Sequence, residues 1–422
     1  RYDGEDGVMR VIEQLEGVAL PPSVWESSVL PARVRDYRPA MLDGLLSSGE
    51  IVWVGSKTTG SKAKEPGLVA LHPADSLLLT VQDGEKNGGA PGEPVTLPDA
   101  VMAVLAPGGA YHANQLAGMT RAAWDASSEC VDESTGEILP HPWSDSQFEE
   151  ALWSLVWQGK VTNSSFDPLR SLGASSHAVK APARASRRRV RVRVSVPANM
   201  TGLWSAVPHA DMQEASAERV AIARVEALLD RYGVIAPPMI DKERLAGGFS
   251  GLYPVLRRME EHGALMRGMF VSGCGAAQFA SRQTVDALRA CAAEPSAVVL
   301  DATDPANLYG SVIAWPRTIG GVSIRPARRS GASVVLRGGR LLAYAVPRSH
   351  HLLLAQDADP ALQQACNELA YALQRNLRDG GIRGGVTFCD ANDEPLTARG
   401  EWSRILHVAG FVPVPQGMRL YC

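Results

Sequence analysis

One pattern occurs three times along this chain and limits its fold more than any other feature. "MLDGLLSSGEIVWVG" begins at Met41, "ALWSLVWQGKVTN" at Ala151 and "VLRRMEEHGALMRGMFV" at Val255. Aligned on Gly49, Gly159 and Gly263, each segment has a leucine seven residues earlier (Leu42, Leu152, Leu256). Each also has an apolar residue four earlier (Leu45, Leu155, Met259) and another two later (Ile51, Val161, Leu265). The offsets of −7 and −4 put both side chains on one face of a helix. The glycine supplies the left-handed residue that ends it, and the chain then enters a strand. Helix, glycine, then a hairpin strand is how a winged helix runs from its helix-turn-helix into its wing.

The flanking segments agree. "SAERVAIARVEALLDRYGVIAP" (216–237) reads as a helix ending at Gly233, and "IDKERLAGGFSGLYPVLRRMEEHG" as a short helix, a Gly-rich turn and a long helix. "GSKTTGSKAKEPG", from Gly55, fits a wing loop, and the Gly/Pro-rich "QDGEKNGGAPGEP", from Gln82, fits a linker. After residue 300 the pattern stops. "SVVLRGGRLLAYAV" is a hairpin with a Gly-Gly turn, and Leu362, Cys366, Leu369, Leu373 and Leu377 line one face of a later helix. The expected class is therefore α+β: tandem winged-helix modules at 1–100, 101–175 and 204–300, a basic linker or strand at 176–203, and a β-barrel-like α+β module at 301–422.

A net charge of −3 over 422 residues gives no global signature of nucleic-acid binding, so any such binding rests on local patches. Arg184, Arg187, Arg188, Arg189, Arg191 and Arg193 form the densest one, and Lys57, Lys62 and Lys64 form another in the first wing loop. Arginine suits phosphate because its planar fork binds in a bidentate manner; the plainer reading of the run is a solvated linker. Such contacts position a protein on the backbone without reading bases. In "RGMFVSGCGAAQFA", Arg267 opens a wing-like strand and Gln278 is a candidate for a base edge, although a tight turn before a helix is the commoner use of such a glutamine.

Several chemistries find little support. "GSKTTGSK" has glycines at phosphate-loop spacing, but Ser61 follows Gly60 and no helix can start through Pro66 and Gly67, so no ATP site is expected in this chain. The six cysteines are scattered without a CxxC pair, which argues for reduced thiols rather than zinc. No apolar run reaches the 18 or so residues of a membrane span. The chain opens on Arg1 rather than Met, as expected of a fragment.

"LDATDPANLYGSVIAWP", from Leu300, packs turn chemistry beside apolar surface. Asp301 and Asp304 cap turns before Pro305 in one reading. In the other they are catalytic carboxylates of a DNA glycosylase, which stabilises an oxocarbenium-like sugar after the base leaves the stack. No lysine lies in the stretch, so a Schiff-base lyase is not expected there. As a hinge, it would be sealed by Tyr309, Ile313 and Trp315.

Four phrases carry a resemblance. "GVALPPSVWESSVLPARVRDYRPAMLDGLLSSGEIVWVG", "ALWSLVWQGKVTNSSFDPLRSL", "SGLYPVLRRMEEHGALMRGMFVSGCGAAQFA" and "LDATDPANLYGSVIAWP" together resemble the C-terminal region of the bacterial Lhr (large helicase-related) superfamily 2 helicases. The layout is similar to that of AlkZ-type DNA glycosylases. The resemblance implies a DNA-binding and oligomerising region of an ATP-dependent 3′-to-5′ DNA helicase acting in repair, with the ATPase motifs outside this chain. The alternative it implies is a uracil-excising glycosylase module; the AlkZ-type catalytic motif is not completed by Gln278-Phe279-Ala280. A purely protein-binding array is a third reading. Implied partners are single-stranded or tailed duplex DNA, the parent's helicase core and further copies of the chain, in a cytoplasmic, nucleoid-associated setting without a membrane. No cofactor is expected here, ATP and magnesium belonging to the helicase core.

Overall fold

A computed structural model describes residues 1–56, 67–79, 96–127, 130–131, 138–139, 142–175, 197–208, 216–245, 247–290, 296–317, 319, 324–355, 361–379, 385–396 and 400–421. They form two compact units, 1–227 and 228–422.

The three glycines of the repeat sit where the sequence puts them. Gly49, Gly159 and Gly263 have φ of 79°, 73° and 77°. In each case the next residue's N–H returns to the carbonyl of the apolar residue at −4: Glu50 to Leu45 at 3.1 Å, Lys160 to Leu155 at 3.0 Å, Ala264 to Met259 at 2.9 Å. This paired cap satisfies the orphan carbonyls of a helix end, and only a residue at ease with positive φ permits it. Leu42, Leu152 and Leu256 are all fully buried, as are Ile51, Val161 and Leu265 to within 3%.

Around these caps lie three modules of one topology. The first has α1 (Gly4–Gln14), a helical stretch over 22–33, α2 (Pro39–Ser48), β1 (Ile51–Ser56) and β2 (Leu68–Pro73). The second has α3 (Leu97–Leu105), β3 (Tyr111–His112), α4 (Ala113–Ser127), α5 (Asp145–Trp157), β4 (Val161–Asn163), α6 (Asp167–Ser175) and β5 (Leu203–Ala206). The third has α7 (Ala217–Tyr232), β6 (Val234–Ile235), α8 (Pro237–Glu243), α9 (Gly248–Glu261), β7 (Leu265–Gly268), β8 (Gln278–Ser281) and α10 (Arg282–Ala290). Strand orders are β3-β5-β4 and β6-β8-β7, and in the first module Leu20 bridges Val69 on β2, which pairs with β1. The same order appears three times: the strand after the first helix joins the last strand, which joins the strand leaving the third helix. β5 pairs with β4, so the second module runs on to residue 206, and the arginine-rich segment belongs to the connection between its two wing strands. The arginines from 184 to 193, like Lys57, Lys62 and Lys64, lie outside the described residues.

One apolar core runs through the first two modules and includes Trp25, Trp53, Trp153 and Trp204. Ser144 caps α5 by accepting a hydrogen bond from the Gln147 N–H at 3.2 Å.

The C-terminal module holds β9 (Ala297–Asp301), β10 (Ser333–Arg337), β11 (Arg340–Val346), β12 (His351–Leu354), α11 (Leu362–Asp379), β13 (Gly385–Phe388), β14 (Asp390–Ala391), β15 (Glu394–Pro395), α12 (Glu401–Val408), β16 (Val412–Val414) and β17 (Gly417–Tyr421). Here the expectation of a barrel needs correction. Among the described residues the strands form an open six-stranded sheet, β9-β10-β11-β12-β14-β15, and a separate three-stranded sheet, β13-β17-β16. Among the described residues no closed barrel is found. The β10–β11 hairpin is present as read, but the chain returns to the sheet by parallel pairing of His351 with Asp390. α11 buries Leu362, Cys366, Leu369 and Leu373 in the module's core. The class is mixed α+β with winged-helix domains.

Candidate functional site

Three third helices of winged modules are present, and they are not equivalent. α2 faces the second module: Asp43 accepts from the Phe166 N–H at 3.1 Å and from Arg170 at 2.8 Å. The Arg170 fork also grips Glu26, with N–O distances of 2.7 and 2.9 Å, and Asp167 at 2.7 Å. Burial opposes the charge, yet these carboxylates hold Arg170 well above its ordinary value. α5 buries seven residues, among them Trp153 and Trp157, and its C-terminal end lies against the first wing. A Cβ at Gly55 would sit 2.6 Å from the Val156 carbonyl, and one at Gly67 2.7 Å from the Trp157 ring. Two glycines, Gly55 on β1 and Gly67 just before β2, thus let α5 approach. Packing between the first two modules covers one side of α2 and the C-terminal half of α5, while Ser47 and Glu150 stay exposed.

α9 is different. It buries only Leu252 and Leu256, leaving Ser250, Pro254, Arg257, Arg258 and Glu261 exposed along one side. Arg257 pairs with Glu261 at 3.0 Å, both well over half exposed. Arg267, on the adjacent wing strand, is exposed as well, and Met269 at the turn of that wing is 81% exposed. Gln278 is not at this surface. It is fully buried, its oxygen accepts from the N–H groups of Phe270 and Val271, and its amide donates to Val271 and Gly275. Those four bonds use both donors and both lone pairs, so Gln278 builds the wing turn and has nothing left for a base edge.

Asp301 ends β9, and Asp304 lies in the loop that follows it and leads to the rest of the C-terminal module. Asp301 Oδ1 accepts from the Thr303 N–H at 2.8 Å, and Oδ2 from the Gly331 N–H at 3.1 Å. Asp304 is 1% exposed and accepts from the Ala306 N–H at 2.8 Å. Asn307, fully buried, donates to the Ala302 carbonyl at 2.9 Å. At the centre is Arg328, which no local motif in the sequence marks. It donates to the carbonyls of Asn307, Thr303 (2.8 Å) and Asp304 (3.2 Å). These are Asx turns wound around one guanidinium. Leu308, Val312 and Ile313 pack on Ala236, Met239 and Cys274 of the third winged helix, while Tyr309 stacks on Trp315, which meets Tyr344 edge-on.

A second charged group meets this loop. Lys242, from α8, has a buried Nζ with no hydrogen-bond partner among the described residues, 5.2 Å from the centre of the Tyr232 ring. Burial, with Arg328 next in weight, pushes Lys242 down to about 8, while Glu243 and Asp304 act the other way. Glu243 is itself held by the Tyr232 hydroxyl and by Arg231 at 2.6 Å. Local spacing gave no sign that residues 242, 304 and 328 meet. A cavity of about 480 Å³ lies elsewhere, lined by Cys389, Pro395, Leu396, Pro413, Val414 and Gln416; it is lined by no carboxylate, imidazole or amine. Among the described residues no cluster of three or more His, Cys, Asp or Glu side chains could hold a metal, and no helix is long and apolar enough to cross a membrane.

Fold and surface define a tandem winged-helix protein with a C-terminal α+β module. Residues 1–74 match the third, and 214–299 the fourth, winged-helix model of the family described as large helicase-related protein, winged-helix domain. The chain is homologous to the C-terminal region of Lhr helicase/uracil glycosylase proteins, and its first and third modules are Lhr winged-helix domains. It is 38% identical over 440 residues to the Lhr helicase/uracil glycosylase of Escherichia coli, covering 99% of this chain and 26% of that protein. It is 38% identical over 442 residues to the Lhr helicase/probable uracil glycosylase of Mycolicibacterium smegmatis, covering 99% and 27%. The chain thus spans about a quarter of the length of these relatives. The module between the two matched ones, with the same strand order, is covered by neither match.

Proposed function

We propose that this chain is a DNA-binding region of an Lhr-type helicase, and that the third winged helix supplies the DNA-facing surface. One observation carries the reading: α9 and its wing present Arg257, Arg258 and Arg267 to solvent, while the equivalent helices α2 and α5 are partly covered by packing between the first two modules. Single-stranded or tailed duplex DNA is the partner, and the arginines from 184 to 193, carried in the connection between two wing strands, add sequence-independent phosphate contacts. ATP and magnesium belong with a helicase core elsewhere in the parent protein, in the bacterial cytoplasm, and further copies of the chain assemble with it. The test is fluorescence anisotropy on a tailed duplex at several salt concentrations. Arg257→Gln/Arg258→Gln/Arg267→Gln should weaken binding at least tenfold and flatten the log–log salt slope by about 3, near one per lost phosphate contact. Unchanged affinity and slope would remove the third winged helix from the interface.

A second reading, uracil excision, is favoured by the names of both relatives and by their coverage of 99% of this chain. Its candidate carboxylates are Asp301 and Asp304. Deoxyuridine oligonucleotides incubated with the protein should then yield alkali-labile sites, lost in Asp304→Asn without loss of folding. The Asn side chain keeps the acceptor that binds the Ala306 N–H, so a folded but inactive variant isolates the charge.

A further inference from the structure

Lys242 is the only lysine among residues 228–422, where every other strong cation is arginine. It is also the one whose ammonium nitrogen is buried without a hydrogen-bond partner among the described residues. An unpaired buried ammonium is costly, and the turn loop does not need it, because Arg328 already holds the carbonyls of Thr303, Asp304 and Asn307. A group that breaks the packing rules without a local benefit points to function. The amine faces the Tyr232 ring and feels Arg328, Glu243, Arg231 and Asp304. Of these neighbours, Asp304 is one of the two candidate carboxylates for uracil excision.

We propose that Lys242 is the amine of a Schiff-base site that captures the aldehyde of an abasic deoxyribose in DNA. The proposal rests on the reading that this region handles DNA from which uracil has been removed, since an abasic sugar is the product of that excision. The neutral amine attacks C1′ of the ring-opened aldehyde, and the resulting carbinolamine loses water to give the imine. A proton then leaves C2′ to solvent, the C3′–O bond breaks, and the 3′ phosphate departs with the electron pair. Water hydrolyses the imine, returning the lysine and releasing an unsaturated aldehyde.

Two features suit this side chain to the step. With its value pushed down to about 8, roughly a quarter of the amine is neutral at pH 7.5, against about one part in a thousand for an ordinary lysine. Desolvation beside other cations is how amines are activated for imine chemistry. The residue as a whole is only partly buried, and the step requires its flexible four-carbon stem to carry Nζ toward the surface. Arginine cannot replace it, because a guanidinium stays protonated.

The experiment incubates the chain with an oligonucleotide carrying one preformed abasic site in the presence of sodium borohydride, which reduces the imine to a stable amine. A covalent adduct mapping to Lys242 by peptide mass spectrometry is expected. It should fall at least tenfold in Lys242→Arg and in Lys242→Met, with cooperative unfolding and binding to undamaged DNA retained. No adduct from the unaltered chain, or an adduct that persists in Lys242→Arg or maps to Lys160, would overturn the proposal. Uracil excision is measured in parallel by alkali cleavage. Adduct without excision upholds the amine and sinks the excision reading; excision without adduct does the reverse.

Discussion

Nζ of Lys242 lies 5.2 Å from the centre of the Tyr232 ring and has no hydrogen-bond partner among the described residues. The ring's negative face attracts a cation, but it does not replace the water that burial removes. Lysine in this position lowers stability, and it does so in a pH-dependent way.

The sign follows from proton uptake. Folding pushes Lys242 from 10.5 down to about 8, so between these values the unfolded chain binds more protons and stability rises with pH. Below pH 8 the whole penalty, at most about 3 kcal/mol, is present. Lys242→Met should therefore raise the urea midpoint at pH 7, and its advantage should shrink as pH climbs from 8 to 10.5. Paired urea titrations of the two proteins across that range measure the difference.

Arg170 joins two modules through Glu26 and Asp43. Its guanidinium side chain is 25% exposed and Glu26 16%, so removing the cation strands a buried carboxylate beside Tyr37, whose hydroxyl donates to Glu26 at 3.2 Å. Arg170→Met should destabilise the 1–227 unit by on the order of 3 kcal/mol. Arg170→Lys should recover only part of this, because a single ammonium cannot reproduce the bidentate grip. Thermal melts of the three proteins test both statements.

Gly55 and Gly67 admit the end of α5. A methyl at Gly55 meets the backbone carbonyl of Val156 at 2.6 Å, an atom that cannot move without the helix. Gly55→Ala should cost roughly 1–3 kcal/mol by overpacking, and should speed hydrogen exchange in α5 and the first wing together. Gly49→Ala, which has open space but a φ of 79°, should act on the helix cap alone.

The tandem winged helices were legible because their signal is local. A leucine at −7, an apolar residue at −4 and a glycine that must take positive φ fit within about two helical turns and their cap. The turn chemistry around Asp301, Asp304 and Asn307 was readable for the same reason. What stayed hidden depends on residues far apart in sequence: Arg170 with Glu26 is a pairing across 144 positions. Which third helix stays open follows from such contacts and from two glycines that accommodate Trp157. The barrel expectation failed likewise, since strands and hairpins are local but closure depends on the pairing of β12 with β14. Gln278 kept the polarity of a base reader, and only burial shows that its amide closes the wing turn. Lys242 carried no local mark.

The central claim is that the third winged helix meets DNA while the first two lock against each other. Site-specific photo-crosslinking addresses it most directly, with benzophenone side chains placed singly at Ser250 and Arg257 on α9, at Ser47 on α2 and at Glu150 on α5, all exposed positions. On illumination with a labelled tailed duplex, crosslinks are expected from Ser250 and Arg257 and not from Ser47 or Glu150. Crosslinks from Ser47 or Glu150, with none from α9, would contradict the account.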